Sequence, residues 1–349
     1  MTSATTDYIW GSVRCPDPSY LARAEPEPAL DPDLPIIDTH FHVWHLFDDP
    51  YFLPDYAREI AESGHNVVGS VFIECSTMYR KSGPPHLKWI GETEFAVGQA
   101  AMAESGKYTS ARVAQGIVGG ADLRLGARVQ DTLEAHVEAA NGRFRGIRQR
   151  AKWDADPLVR GPWGEPKPHL YLDQAFSEGL KRLTAMGLSF DASIYHPQLA
   201  DVTAMARAHP DANIILNHTA SPVGHGAYAG NDAETQRSWY AGMKELATCP
   251  NVSVKIGGIL MSIANFDFTV AKRPPTSREL VELWRPYIEP CIELFGAERC
   301  MVSSNFPVEK AGLPFRTVWN MFKMISAGCS DHEKQLLFSA TAKRVYRLD

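Results

Sequence analysis

The stretch Ile36–Trp44 reads IIDTHFHVW, and it predicts a β-strand that begins with two isoleucines and ends in polar and aromatic residues. Because successive side chains of a strand point to opposite faces, His40 and His42 are expected to share a face with Asp38. Two imidazole groups on one face of a strand end can hold a metal ion or bracket a substrate. The alternative is that two polar residues pack there without a functional role.

Strand-like and helix-like segments alternate along the rest of the chain. Short runs rich in Val, Ile and Ala precede amphipathic stretches that end in glycine or proline. The pattern predicts strands at Ile36–Trp44, Val67–Cys75, Val113–Asp122, Phe144–Arg150, Leu188–Tyr195, Asn213–Thr219, Val252–Gly258 and Cys300–Phe306. Strands that are apolar on both faces and alternate with helices are typical of a parallel sheet covered by helices. The fold class predicted is α/β, as a (β/α)8 TIM barrel. A doubly wound sheet is less favoured, because no G-x-G-x-x-G follows the first strand.

Residues 1–35 differ from the rest of the chain in being polar and rich in proline. Proline blocks both helix formation and strand pairing, so this segment is expected to form an extended N-terminal arm laid over the fold or over a neighbouring subunit. Residues 36–349 are expected to form one barrel, which ends in a C-terminal helix from about Asp331 to Tyr346.

Composition narrows the class of protein. The chain has 349 residues, of which 44% are hydrophobic and 22% charged, and a formal net charge of −6. This negative charge argues against a nucleic-acid-binding surface. The sequence contains no apolar run of about 18 residues, so no membrane span is predicted. The N terminus lacks the pattern of a secretory signal, and the six cysteines form no paired motif. We expect a cytoplasmic enzyme that acts on a small molecule and forms a homo-oligomer, with a dimer favoured.

Ionisable residues concentrate at the predicted strand ends, which is where the active sites of barrels lie. Besides the two histidines of the first strand, these ends carry Glu74, Arg148, Arg150, His196, His218, Lys255 and Asn305. Each has a structural alternative. His218 could be a hydrogen-bonded core histidine, Arg148 a buried ion pair, and Glu74 the counter-charge of a cation. Lys255 is as consistent with pairing inside the barrel as with binding a substrate.

Several motifs, taken in order, resemble the amidohydrolase superfamily and, within it, the amidohydrolase 2 group that includes fuconolactonases and pyrone-dicarboxylate lactonase. These motifs are IIDTHFHVW, FRGIRQR, the HPQL turn at His196–Leu199, PDANIILNH, NVSVKIGG and FGAERCMVSSNFPVEK. The resemblance covers roughly Pro35 to Leu348. It implies a distorted (β/α)8 barrel and the hydrolysis of an ester-like or amide-like bond.

The resemblance also implies roles for single residues. His40, His42 and His196 match histidines that could hold one divalent metal, with Zn2+ the first candidate, and His218 matches the histidine of the sixth strand. A metal-free site, in which the same histidines donate hydrogen bonds, is the alternative. Asn305 falls where most of the superfamily has an aspartate that serves as base and ligand. An amide oxygen is not basic at neutral pH, so the base is expected elsewhere.

The resulting hypothesis is attack of water on the carbonyl carbon of a lactone, or of a related ester or amide. Glu74 is the predicted general base, on the expectation that burial raises its pKa, and a neutral His218 or His196 is the alternative. Arg148 is expected to stabilise the oxyanion, while Asn305 orients water or substrate.

Substrate binding is assigned to residues near these groups: Arg80, Arg150, Trp153, His169 and Lys255. The arginines favour an anionic substrate. The predicted loops Lys152–Leu172, Ser221–Asp232 and Met261–Pro275 carry aromatic residues that favour a ring-bearing or partly apolar one, although packing and subunit contact are alternatives. Two other functions stay open: a metal-dependent decarboxylase of the same superfamily, and a binding barrel made inactive by Asn305.

Overall fold

The structure is a computed structural model that describes residues 15–46, 49–161, 164–165, 167–258 and 271–349. Within these ranges, parallel strands form one eight-stranded sheet whose order follows the chain. The strands are β1 Ile36–Phe41, β2 Val67–Ile73, β3 Arg112–Gly120, β4 Phe144–Arg150, β5 Ser189–Ser193, β6 Asn213–Leu216, β7 Val252–Gly257 and β8 Cys300–Ser303. This is the topology of a TIM barrel, and the predicted fold class is confirmed.

Helices connect the strands and cover the outside of the barrel. They are α1 Leu53–Ser63, α2 Ile90–Glu104, α3 Val129–Ala139, α4 Gln174–Ala185, α5 Leu199–Ala208, α6 Asp232–Leu246, α7 Ser277–Phe295 and α8 Phe315–Ile325. The C-terminal helix consists of Asp331–Gln335, a π-helical turn at Leu336–Ala340, and Thr341–Tyr346. In the ranges that the structure describes, no helix is both long and apolar enough to cross a bilayer.

A short hairpin follows β1, formed by Trp44–Leu46 and Asp49–Tyr51. The sequence prediction does not contain it, because strands of three residues give too little alternation to detect. The described part of the N-terminal arm lies on α8, where Asn320 Oδ1 accepts from Leu30 N at 2.9 Å and Lys323 Nζ donates to Leu30 O at 2.9 Å.

A β-bulge changes the alternation of β1. The pairing register with β2 shifts between Asp38 and Phe41. As a result, Asp38 and Phe41 both contact Tyr56 of α1 outside the barrel, whereas His40 contacts Arg148 of β4 on the inside. The expectation that the histidines share a face with Asp38 is therefore wrong, because one extra residue reverses the faces of all later side chains.

The two ends of the sheet meet at β1 and β8. Asn305 N donates to His40 O at 2.8 Å, and His42 N donates to Phe306 O at 2.7 Å. The carboxylate of Asp38, which is fully buried, accepts from both the backbone N–H and the hydroxyl of Ser304. Burial raises the pKa of Asp38 to about 6 although these donors oppose the rise. Asp38 therefore connects β1 to the end of β8 through hydrogen bonds to a buried carboxylate.

A buried ion pair lies inside the barrel. Lys255 Nζ donates to Asp191 Oδ2 at 2.7 Å, and neither side chain is exposed. The same carboxylate accepts from Asn217 Nδ2 at 2.9 Å and from Tyr346 OH at 2.9 Å. Lys255 therefore forms an ion pair inside the barrel, the structural alternative to substrate binding, because its ammonium group contacts Asp191 and is shielded from solvent.

We expect Ser304→Ala to lower the free energy of unfolding by about 1–3 kcal/mol, because it removes a donor from a buried carboxylate. Ser303→Ala is the matched control, since Ser303 is equally buried but its hydroxyl has no hydrogen-bond partner among the residues that the structure describes. Urea unfolding of both variants measures the difference. Equal losses of stability would show that the contact with Asp38 does not hold β1 to β8.

Candidate active site

Three histidines from β1 and from the turn after β6 form a buried cluster. The ring centroids of His40 and His42 lie 4.9 Å apart, and those of His40 and His218 lie 4.4 Å apart. All three side chains are almost completely buried. The structure thus brings these three histidines together at the carboxyl ends of the strands.

Backbone carbonyls fix which nitrogen of two rings carries the proton. His42 Nδ1 lies 2.7 Å from Ile73 O, and His218 Nδ1 lies 2.9 Å from Gly257 O. A carbonyl oxygen can only accept, so in the neutral rings Nδ1 holds the hydrogen and Nε2 holds a lone pair. His218 therefore offers a basic nitrogen to the site.

The electrostatic environment keeps these rings neutral. Burial, followed by the charge of Arg148, lowers the pKa of His42 to about 3. Burial also holds the pKa values of His40 and His218 well below the usual range, with nearby cations adding to the effect. A neutral imidazole at pH 7 can accept a proton, which makes general-base chemistry available.

The guanidinium group of Arg148 connects β4 to the cluster. Its Nε donates to Glu74 Oε1 at 2.8 Å, its Nη2 donates to Glu74 O, and its Nη1 donates to His40 Nε2 at 3.2 Å. The side chains of Arg148 and Glu74 are only 7% and 2% exposed, so this ion pair is shielded from solvent. The predicted neighbours are thus brought together, and Arg148 points at the histidines.

The sequence-based expectation for the pKa of Glu74 is wrong. Burial alone would raise it, but the cations of Arg148 and Arg150 outweigh burial, and the pKa of Glu74 is lowered. Arg150 Nε lies 3.6 Å from the same carboxylate oxygen that accepts from Arg148. The Glu74 carboxylate is thus held in its ionised form by two guanidinium groups, and its observed contacts position Arg148.

His218 sits in a strained turn. The four residues His218–Ser221 all have positive φ angles, between 44° and 63°, a region that residues other than glycine rarely adopt. Trp239 Nε1 of α6 donates to Thr219 O at 2.7 Å and holds the turn in place. Strained backbone persists where the surroundings impose it, and it clusters at functional sites.

Gly258 allows the His218 ring to lie against the end of β7. Its φ is +67°, and a Cβ atom there would lie 2.0 Å from His218 Nδ1. The second glycine of the NVSVKIGG motif is thus required by the position of the histidine ring.

Asn305 lies at the end of β8 with a φ of +55°. Its side chain hydrogen-bonds with His42, and its Nδ2 donates to Glu309 Oε1 at 3.3 Å. The amide therefore reaches the cluster, where it contacts a histidine ring.

His196 is placed differently from the other three histidines. Its Nδ1 accepts from Val223 N at 3.2 Å, and its ring meets Tyr228 edge-on. Tyr228 OH in turn donates to Asp154 Oδ2 at 2.8 Å, so the described parts of the loops after β4 and β6 pack together. The contacts of His196 therefore hold these loops. Trp163 and residues 261–270 of the third predicted loop lie outside the described residues.

The predicted substrate-binding residues are dispersed. Arg80 is exposed and pairs with Glu94, while His169 is exposed and pairs with Asp201. The backbone N–H of Trp153 donates to Gln198 Oε1 at 3.0 Å. Of the five residues predicted to bind substrate, Arg150 lies next to the cluster, where it and Arg148 approach the same carboxylate oxygen of Glu74.

Sequence reasoning missed Lys152, whose ammonium group faces the same site. The signal was present, because Arg148, Arg150 and Lys152 alternate in the sequence as residues on one face of a strand do. It also missed Trp239, for which the sequence offers no signal.

The donor set does not fit a divalent metal. The Nε2 atom of His40, the lone pair that a metal would need, lies at hydrogen-bonding distance from the Arg148 guanidinium, and a second cation there would be repelled. Asn305 supplies an amide where a metal centre would use a carboxylate. Across the part of the chain that the structure describes, no group of three or more His, Cys, Asp or Glu side chains is arranged to hold a metal ion.

Comparison with known proteins places these features in a family. A family model described as amidohydrolase matches residues 37–348. The uncharacterized protein y4mH of Sinorhizobium fredii is 32% identical over 330 residues, which cover 90% of this chain and 99% of that protein. L-fucono-1,5-lactonase of Burkholderia multivorans is 26% identical over 240 residues, which cover 68% of this chain and 73% of the lactonase.

Solved structures share the fold at lower identity. An amidohydrolase from Burkholderia multivorans, crystallised with bound HEPES, matches with a TM-score of 0.68 and 22% identity over 90% of this chain and 99% of its own. The same target in a second crystal form carries zinc and matches with a TM-score of 0.64. The 5-carboxyvanillate decarboxylase LigW from Sphingomonas paucimobilis matches with a TM-score of 0.52 and 12% identity, over 90% of this chain and all of its own. Hydrolases and decarboxylases therefore share this architecture.

We expect Gly258→Ala to lower kcat by about 100-fold while the barrel stays folded, because the new methyl group displaces the His218 ring. Gly98→Ala is the control, since no atom lies within 4 Å of its added Cβ on α2. Turnover and circular dichroism of both variants measure the two effects. Full activity in Gly258→Ala would contradict the assignment of His218 to the active site.

Proposed function

This chain belongs to the amidohydrolase family, and from that premise we propose that it is a hydrolase that opens a lactone ring by attack of water on the carbonyl carbon. The observation that carries the proposal is the buried His218 ring, 4.4 Å from His40, next to the Arg148 guanidinium, whose Nη1 lies 3.2 Å from His40 Nε2. Two of the sequence relatives are L-fucono-1,5-lactonases, which supports the choice of a lactone.

The first step is activation of water by His218. Its Nδ1–H is held by Gly257 O, so Nε2 is the atom that accepts a proton from water. The resulting hydroxide attacks the lactone carbonyl carbon and forms the new carbon–oxygen bond. Because the ring of His218 is neutral at pH 7, it needs no deprotonation before it acts.

The second step is stabilisation of the oxyanion and opening of the ring. The carbonyl oxygen gains the negative charge, and the guanidinium of Arg148 is the group that offsets it. The tetrahedral intermediate then expels the ring oxygen, which takes the proton from His218 Nε2. One lactone and one water give one hydroxy acid, and His218 returns to its neutral form.

Glu74 and Asn305 hold the reacting groups in position. Glu74 accepts two hydrogen bonds from Arg148 and fixes the direction of its Nη1 atom. Asn305 contacts His42, and it places an amide where the family resemblance implies an aspartate. A barrel with His218 as base does not require an aspartate there, which argues against loss of catalysis through Asn305.

The donor set favours a reaction without a metal, so the decisive experiment combines substrate and chelator. We expect the purified enzyme to hydrolyse members of a lactone panel at the same rate before and after exhaustive treatment with EDTA. The release of acid measures the rate. His218→Gln serves as the blank and should lose about 100- to 10,000-fold in kcat.

Two other outcomes would overturn this proposal. Release of CO2 from an aromatic acid, dependent on added zinc, would identify a decarboxylase. Inactivity of the wild-type enzyme on every lactone, with activity gained in Asn305→Asp, would identify a barrel that binds without catalysis.

The pH dependence follows from the lowered pKa of His218. A base acts when it is deprotonated, and a pKa well below 6.5 keeps Nε2 unprotonated through the neutral range. We therefore expect kcat/KM for a neutral lactone to stay flat between about pH 6.5 and 8. A fall on the acidic side with an apparent pKa near 6.5 or above would contradict a buried, neutral histidine as the base.

A further inference from the structure

Three cationic side chains share one face at the end of β4. Arg148 and Arg150 lie on the strand, and Ala151 N continues the pairing by donating to Ser193 O of β5 at 2.8 Å. The alternation of side chains therefore extends to Lys152, which faces the site with the two arginines.

These three cations differ in how their charge is compensated. Arg148 forms its ion pair with Glu74 at 2.8 Å, and Arg150 lies 3.6 Å from the same oxygen and donates to Ser76 Oγ at 2.8 Å. Lys152 has no hydrogen-bonding or ion-pair partner within the described ranges. Its ammonium group lies 5.0 Å from the centroid of the Tyr195 ring.

The charges around Lys152 leave an excess of positive charge. Within the described ranges, Glu74 is the carboxylate that pairs with the arginines of this group. Glu165, whose backbone N–H donates to Lys152 O at 2.7 Å, directs its carboxylate to Arg124 at 3.5 Å. Glu92 is buried, and this burial together with Glu74 raises its pKa to about 8, so it is mostly uncharged at pH 7. Burial and the two arginines lower the pKa of Lys152 to about 7, as expected for a cation without a counter-charge.

Lys152 shares its face with Arg148, whose Nη1 lies 3.2 Å from His40 Nε2. The His40 ring in turn lies 4.4 Å from that of His218. After burial, the charge of Lys152 is the largest influence on the pKa of His218. A ligand held by Lys152 would thus lie beside the proposed base. The ammonium group lies over the Tyr195 ring, and this cation–π contact favours its position there.

We propose that Lys152, with the exposed part of Arg150, forms an anion-binding subsite that takes a carboxylate group carried by the substrate. Arg150 is 35% exposed and keeps N–H groups available, whereas Arg148 is committed to Glu74 and His40. The substrate class is then a carboxylate-bearing lactone rather than a neutral one. This assignment narrows the substrate class of the proposed lactone hydrolase, and it rests on that proposed function for the presence of a lactone ring.

Binding of malonate and of its neutral analogue malonamide, measured by calorimetry, tests the subsite without requiring turnover. We expect the wild-type enzyme to bind malonate at least tenfold more tightly than malonamide. Lys152→Met should reduce this preference to less than about twofold while malonamide affinity stays unchanged. Lys152→Arg should retain most of it, because the charge is kept.

Lys167→Met is the matched control, because Lys167 is an exposed residue of the same loop and its loss removes the same charge. It should keep the wild-type preference. The subsite is overturned if Lys152→Met keeps the preference, if Lys167→Met loses it equally, or if the wild-type enzyme does not bind malonate. Malonate preference without lactone turnover would overturn the proposed reaction but support the subsite. Lactone turnover with a malonate preference that does not depend on Lys152 would support the reaction but overturn the subsite.

Discussion

The ion pair between Arg148 and Glu74 is the interaction on which the proposed site depends. Removal of two charges from water is costly, and hydrogen bonds between the partners of a buried pair offset part of that cost. Here, Glu74 accepts from Arg148 through both a side-chain and a backbone oxygen, and the third direction of the guanidinium is satisfied by His40. This geometry directs a positive charge at the histidine cluster. The same charge makes the cluster a poor site for a metal ion and a suitable one for an oxyanion.

The backbone around the cluster completes this arrangement. Asp38 and Ser304 hold the two ends of the sheet together beneath it, and Trp239 holds the strained turn that carries His218. Carbonyl oxygens at the ends of β2 and β7 select the protonated nitrogen of His42 and His218. Burial then keeps both rings neutral. The result is a set of fixed donors and one basic nitrogen, arranged before any substrate arrives, as electrostatic catalysis requires.

Sequence alternation was sufficient to predict the strands and to place His40, His42, Arg148, His218 and Asn305 at one end of a barrel. It failed where the outcome depends on contacts between distant residues. The bulge after Asp38 changes a face without any change in residue type, and the pKa of Glu74 depends on which cations surround it. His196 was assigned to the metal by its motif, but its ring contacts a loop that alternation cannot position.

The central claim is that water attacks the carbonyl carbon of a lactone. Hydrolysis in water enriched in oxygen-18, with the product examined by mass spectrometry, tests this claim most directly. The mechanism places one heavy oxygen in the new carboxylate and none in the released hydroxyl, because the ring oxygen stays with the alcohol. Label in the hydroxyl group, or an unlabelled product formed with loss of CO2, would contradict it.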